Sequence, residues 1–192
     1  MRIESVELFT FEELSEEVQE KAIRNLWDIN LHPGWWECIY EDAETVGVEI
    51  KGFDIDRGSY CEIEVYDFYE TAELILRHHG KSCETYQAAD DFIKKINVLY
   101  ARNEMPVAVL HNLSYKGEEL SEKEDQLWDY CEALLSDIED EILQLESRFL
   151  AELEYAYLEA LRADYEDRTS ETMIKQSIIA NEYEFTSEGD LW

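Results

Sequence analysis

SEKEDQLWDYCEALLSDIEDEILQLESRFLAELEYAYLEALRADY, residues Ser121 to Tyr165, is the stretch whose reading decides the fold. Leu127, Cys131, Leu134, Ile138, Ile142, Leu145, Phe149, Leu153, Ala156, Ala160 and Ala163 recur at steps of three and four. Their average is about 3.6, the period of a straight α-helix rather than a coiled-coil seam. The spacing predicts one long helix, or two in line, over the whole stretch. Leu143, Leu150, Tyr157 and Leu161 fall opposite that stripe, so its second half is expected to be covered on both faces.

With the apolar stripe turned inward, Glu122, Asp125, Asp129, Glu132 and Asp140 fall on the outward face. They sit one per turn or nearly so, a carboxylate about every 5.4 Å, against a phosphate about every 3.4 Å along one DNA strand. Lys123 is the only basic residue between Lys116 and Arg148, so little in the sequence relieves the repulsion. A charge run of this kind is ordinarily a solvated face; the scarcity of cations gives it the alternative meaning of a partner-facing surface.

Outward from the long helix, both termini carry short elements. Met1 to Thr10 reads as a first strand, with Ile3, Val6 and Phe9 apolar. Thr10-Phe11-Glu12-Glu13 fits a capping box and Ser15 is a second N-cap, ahead of a helix with Val18, Ala22, Ile23 and Leu26 on one side. His32-Pro33-Gly34 breaks it. A second helix over 35–46 turns Trp36, Ile39, Tyr40 and Ala43 inward and Glu37, Glu41 and Glu44 outward, and Gly47 ends it. Residues 48–55 and 60–66 alternate and form a hairpin. Helices follow over 68–79 and 84–102, with 105–117 a connection. Thr169 or Ser170 caps a short helix through Ile174, Ile178 and Ile179, and 182–186 closes the chain as a strand before a turn at Glu188-Gly189-Asp190. The expected class is α+β: a small antiparallel sheet of the first strand, the hairpin and the last strand, packed by helices, in one domain spanning 1–192 with a helix-rich lobe over about 118–180.

Forty-seven acidic residues against 16 basic ones give a formal charge of -31. A disordered acidic tail would be poor in aromatics, whereas this chain is 12% aromatic and 45% hydrophobic, so it folds beneath a negative surface. Such a surface repels nucleic acid and anionic membranes and attracts a basic protein surface. No apolar run reaches the ~18 residues of a membrane span. The opening MRIESVELFTFEEL lacks the apolar core of a signal peptide. The expected location is therefore the cytoplasm. Cys38, Cys61, Cys83 and Cys131 show no CxxC spacing and read as reduced thiols.

Four segments, FEELSEEVQEKAI from Phe11, WWECIYEDAETVGVEIKGFDIDRGSYCEIEV from Trp35, HHGKSCETY from His78 and ETMIKQSIIANEYEFTSEGDLW from Glu171, resemble an uncharacterised acidic protein family of phages and prophages. The similarity is weakest over 97–163. It implies a phage setting, with the host cell as the place of action, and carries no site residues.

Motifs that announce chemistry are few. Asp54-Ile55-Asp56-Arg57-Gly58 lacks the fifth-position oxygen ligand and sixth-position glycine of an EF-hand, so it reads as a hairpin turn. His78, His79 and Cys83 are zinc-ligand types, but a tetrahedral site needs four ligands, and histidines at a helix C-terminus gain from the dipole without metal. No P-loop, GxGxxG or GxSxG is present. The expectation is a protein without catalysis, cofactor or metal. Its residues of interest are the carboxylates Glu122, Asp125, Asp129, Glu132, Asp140, Glu37, Glu41 and Glu44, and its partner is the basic surface of a host nucleic-acid-binding protein, occupied by DNA mimicry. The alternative expectation is an acidic adaptor that self-associates, as a homodimer, through its aromatic faces.

Overall fold

The computed structural model describes residues 6–116 and 120–192. In chain order the elements are β1 (Phe9–Thr10), a 3-10 turn (Phe11–Glu13), α1 (Glu16–Asn25), α2 (Glu37–Thr45), β2 (Val48–Asp54) and β3 (Tyr60–Val65). Then come α3 (Phe68–His78), α4 (Glu84–Ser114), α5 (Glu122–Arg168), α6 (Glu171–Ala180) and β4 (Glu184–Phe185). The class is α+β, dominated by helix, with α5 as its longest element. Among the described residues no helix is long and apolar enough to cross a membrane.

The chain divides into two compact units, Met1–Ile39 with Glu159–Trp192, and Tyr40–Leu158. In the first, the two chain ends meet: β1 pairs antiparallel with β4, Phe9 opposite Phe185. Phe11, Leu14, Ala22, Ile174, Ile178 and Phe185 form the core there, with the Phe11 ring edge-on to Phe185 at 6.2 Å. Local chemistry fixes the element starts. Glu13 accepts hydrogen bonds from the Thr10 N–H (2.8 Å) and hydroxyl (3.0 Å), Ser15 stands at the N-cap of α1, and the Ser170 hydroxyl accepts from the Met173 N–H to start α6. Gly189 adopts φ +81, and a Cβ there would lie 2.8 Å from the Val18 side chain, so the closing turn requires glycine.

In the second unit, β2 and β3 form the hairpin, with a register shift between Ile50 and Gly52. Val48, Ile50, Cys61 and Ile63 point inward, while Glu49 and Glu64 stand opposite each other outside. Like charges across a ladder repel; Lys51 sits between them at 2.6 and 2.7 Å. α4 and the first part of α5 run antiparallel in a steady register. Asp91 meets Arg148 (3.2 Å), Phe92 stacks on Phe149 (4.5 Å), Arg102 meets Glu141 (2.7 Å) and Lys116 meets Glu124.

Several expectations need correction. Among the described residues the strands make two separate pairs rather than one sheet, β1 with β4 and β2 with β3. That first strand is only Phe9–Thr10; its expected beginning at Met1–Ser5 lies outside the described residues. The expected connection over 105–117 is instead the continuation of α4, which carries Pro106 in its interior, buried. Proline loses one backbone hydrogen bond and costs about 3 kcal/mol in a helix interior relative to alanine; pairing with α5 along the same stretch offsets this. On α5, Leu143 is 60% exposed, Leu127 is also exposed, and Ala160 and Ala163 face solvent, while Leu161 is fully buried. The apolar stripe thus changes sides towards the C-terminal end, as the elements packed on α5 change. Trp35 rather than Trp36 is the buried member of its pair, since α2 starts only at Glu37.

Candidate partner-binding face

The acidic face begins where α5 begins. The Glu124 carboxylate accepts from the Ser121 N–H (2.9 Å) and hydroxyl (2.8 Å) and pairs with Lys116. The Lys116 ammonium first, then the two Ser121 donors, hold Glu124 down to about 2. A carboxylate at a helix N-terminus also complements the dipole, so the start of a very acidic helix is fixed by the one carboxylate there with a cation of its own.

The expected outward residues are otherwise as exposed as the sequence implied. Glu122, Asp125, Asp129, Glu132 and Asp140 are all exposed on α5, and Glu37, Glu41 and Glu44 are exposed along α2. At about 100° per residue, the five on α5 share one side of the helix, opposite the buried Ile138 and Leu145, over an axial length of about 27 Å. The row is not continuous: Ser136 occupies the turn between Glu132 and Asp140, leaving a gap of about 12 Å without a carboxylate in that stripe.

These carboxylates share one property with most acidic residues of a chain that has 16 cations for 47 carboxylates. None of the eight is in an ion pair among the described residues, although carboxylates elsewhere find cations. On α5, Arg148 pairs across to α4 and along the helix, about a third of a turn round from the acidic residues.

No family model, no curated protein and no solved structure matches the chain. The face therefore has to be read from its own chemistry.

The other sequence candidates take local roles. The Asp54 carboxylate accepts from the Asp56 N–H at 2.7 Å and Ser59 adopts φ 38, which makes the Asp54–Ser59 segment a side-chain-stabilised hairpin turn. Among the described residues no three His, Cys, Asp or Glu side chains are grouped to hold a metal. His79 is instead a buried junction, its side chain 8% exposed. Its Nδ1 lies 2.7 Å from the Thr85 hydroxyl, and its Nε2 lies 3.4 Å from Asp42 without hydrogen-bond geometry. This joins the end of α3, the start of α4 and α2. Nearby Asp42 and Cys61 add to burial in raising the Tyr157 hydroxyl. No spacing in the sequence could have announced this cluster, because its members come from separate elements. Cys61 and Cys131 are buried, Cys38 and Cys83 exposed, and all four are free. Burial, then the Glu154 carboxylate, push the Cys61 thiol up to about 11, so it stays protonated and inert at neutral pH.

Proposed function

We propose that the chain is a phage-encoded inhibitor that occupies the basic nucleic-acid-binding groove of a host protein, such as a defence nuclease, through its acidic face, without chemistry of its own. The observation that carries the reading is the set of eight exposed carboxylates with no cation partner among the described residues. Unpaired surface charge raises self-repulsion and contributes nothing to folding, whereas it steers and holds a partner of opposite sign. The five charges on α5 are sparser than the phosphates of one DNA strand over the same length, so the mimicry is of field rather than of atom positions. The place of action on this reading is the host cytoplasm, and neither nucleic acid nor an anionic membrane is a direct partner.

Affinity capture of the partner from host lysate across a salt series, followed by competition with duplex DNA, tests this. Binding should weaken steeply with salt, because many weak charge contacts each release counterions. Glu122, Asp125, Asp129 and Asp140 reversed together to lysine should abolish displacement of DNA while circular dichroism stays unchanged, since all four are exposed. Single reversals should each cost only part of the affinity. Unchanged displacement by the fourfold variant would sink the role of α5, and failure of the wild type to compete at low salt would sink the mimic.

A further inference from the structure

His32, His78 and His111 are exposed, whereas the fold encloses His79, whose side chain is 8% exposed. It stands at the C-cap of α3, where its N–H donates to the Ile75 carbonyl. From there the ring reaches two other elements. Nδ1 lies 2.7 Å from the hydroxyl of Thr85, itself buried in the first turn of α4. Nε2 lies 3.4 Å from an Asp42 carboxylate oxygen on α2, close but without hydrogen-bond geometry. Shut off from solvent, Nε2 has no hydrogen-bond partner among the described residues.

A neutral imidazole carries one N–H and one bare lone pair, and neither placement of its proton suits this junction. With the proton on Nδ1, that nitrogen donates to Thr85 and the bare Nε2 faces a carboxylate, acceptor against acceptor. With the proton on Nε2, the Thr85 hydroxyl donates to Nδ1, and the N–H points towards Asp42 without closing on it. A buried polar group left unpaired is costly. Only the doubly protonated ring donates on both sides, to the Thr85 oxygen and to the Asp42 carboxylate.

The surrounding elements leave Asp42 as the charge that the ring meets. Tyr157 of α5 has a buried hydroxyl raised by burial first, then by Asp42 and Cys61, and stays a neutral phenol. Burial and then Glu154, also on α5, push the Cys61 thiol of β3 up to about 11, so it too stays protonated. Arg77 of α3 is exposed and paired with Glu73. His78, Lys81, Cys83 and Glu84, around the corner between α3 and α4, are exposed.

We propose that the junction of α2, α3 and α4 is a proton-operated clasp: uptake of one proton by the His79 ring closes Nε2 on Asp42 and draws α2 against the α3–α4 corner, and loss of that proton releases it. Histidine is the side chain that gains and loses its proton between about pH 5 and 8. An enclosed imidazole that changes hydrogen-bonding role as it does so couples its charge to the elements it touches. The sign follows from the geometry: the protonated ring satisfies both partners, so α2 is held more firmly at the acidic end of that range, and the added hold is lost as pH rises. Glu41 and Glu44 ride on the same helix, so the clasp sets how firmly those exposed carboxylates are held, whatever they bind.

Long-range proton–nitrogen correlation on nitrogen-labelled histidines, followed from about pH 8 to about pH 6, reads the protonation of each ring nitrogen. Amide hydrogen exchange of α2, corrected for its intrinsic pH dependence and referred to the amides of α6, reads the hold. In the wild type both His79 nitrogens should become protonated as pH falls, and protection of the α2 amides should rise several-fold with them. Asp42→Asn, at a side chain 57% exposed, should fold normally by circular dichroism and lose that rise. His79→Gln, which takes up no proton, should show flat protection, and Thr85→Ser, which keeps the hydroxyl, should keep the rise. A wild-type ring that stays neutral down to about pH 6, α2 protection indifferent to its protonation, or a rise that survives in Asp42→Asn overturns the clasp.

Discussion

At the scale of single residues, burial and charge compete in ways that pH can read. Burial, then the Asp67 carboxylate, raise Glu146 above the ordinary carboxylate range. A carboxyl whose folded pKa is raised costs stability when ionised: the cost is present in full above the folded pKa and vanishes below the unfolded value near 4.5. Glu146→Gln should therefore be more stable than the wild type at pH 7 by a few tenths of a kcal/mol, because solvent screens most of the effect. The difference should close as pH falls through 4.5, followed by urea denaturation across pH. Lys51 is the converse case. Glu49 and then Glu64 raise its pKa and keep it charged between two facing carboxylates. Lys51→Gln should lower stability, more at low salt than at high, which thermal melts at two ionic strengths would show. Glu146 is raised in part by Asp67 from outside its helix and Lys51 in part by Glu64 from the facing strand, and neither Glu146 nor Lys51 stands out in the sequence.

At the scale of elements, α4 and α5 show what periodicity can and cannot deliver. The 3.6-residue recurrence located α5 to within a few residues of Glu122–Arg168. It could not say which neighbours pack on each turn, so Leu143 was expected to be covered and is exposed, while Leu161 is fully buried. The two positions should answer differently to substitution. Leu143→Glu should change stability by no more than about 0.5 kcal/mol, as surface changes do. Leu161→Ala should cost about 2–5 kcal/mol by loss of buried apolar contact plus a cavity. Phe149→Ala, which removes the ring stacked on Phe92, should cost about 3–5 kcal/mol. Chemical denaturation of the three variants, read at constant slope, checks all of them. In α4 the stretch expected as a connection over 105–117 is helix as far as Ser114, Pro106 included, because its pairing with α5 continues to Lys116 and Glu124.

At the scale of the whole molecule, charge dominates. Sixteen cations cannot neutralise 47 carboxylates, and the fold concentrates the imbalance by leaving the α5 row unpaired. Self-repulsion of this kind destabilises a compact state and is screened by salt, with a Debye length of about 10 Å at 0.1 M. Thermal stability should therefore rise as sodium chloride is increased from about 0.05 to 0.5 M. The fourfold lysine reversal on α5 should reduce that dependence, because it lowers the net negative charge by eight. A fall in melting temperature over the same range would mean that the ion pairs outweigh the repulsion.

Composition and local pattern by themselves determined that the chain folds, that its surface is negative, that helices dominate, and where several elements start: Thr10 with Glu13, and Ser170 with Met173, act through neighbours within three residues. These features are legible because helix period, caps and turns are short-range. Tertiary structure alone decided that Phe9 pairs with Phe185, that His79 lies against Thr85 and Asp42, and that Arg102 and Arg148 pair between α4 and α5. Each of these joins residues far apart in the chain, and each is settled by which apolar faces must be buried together. The acidic residues and the scarcity of cations near them could be named from the sequence; which carboxylates the arginines of α5 reach follows only from how two helices pack.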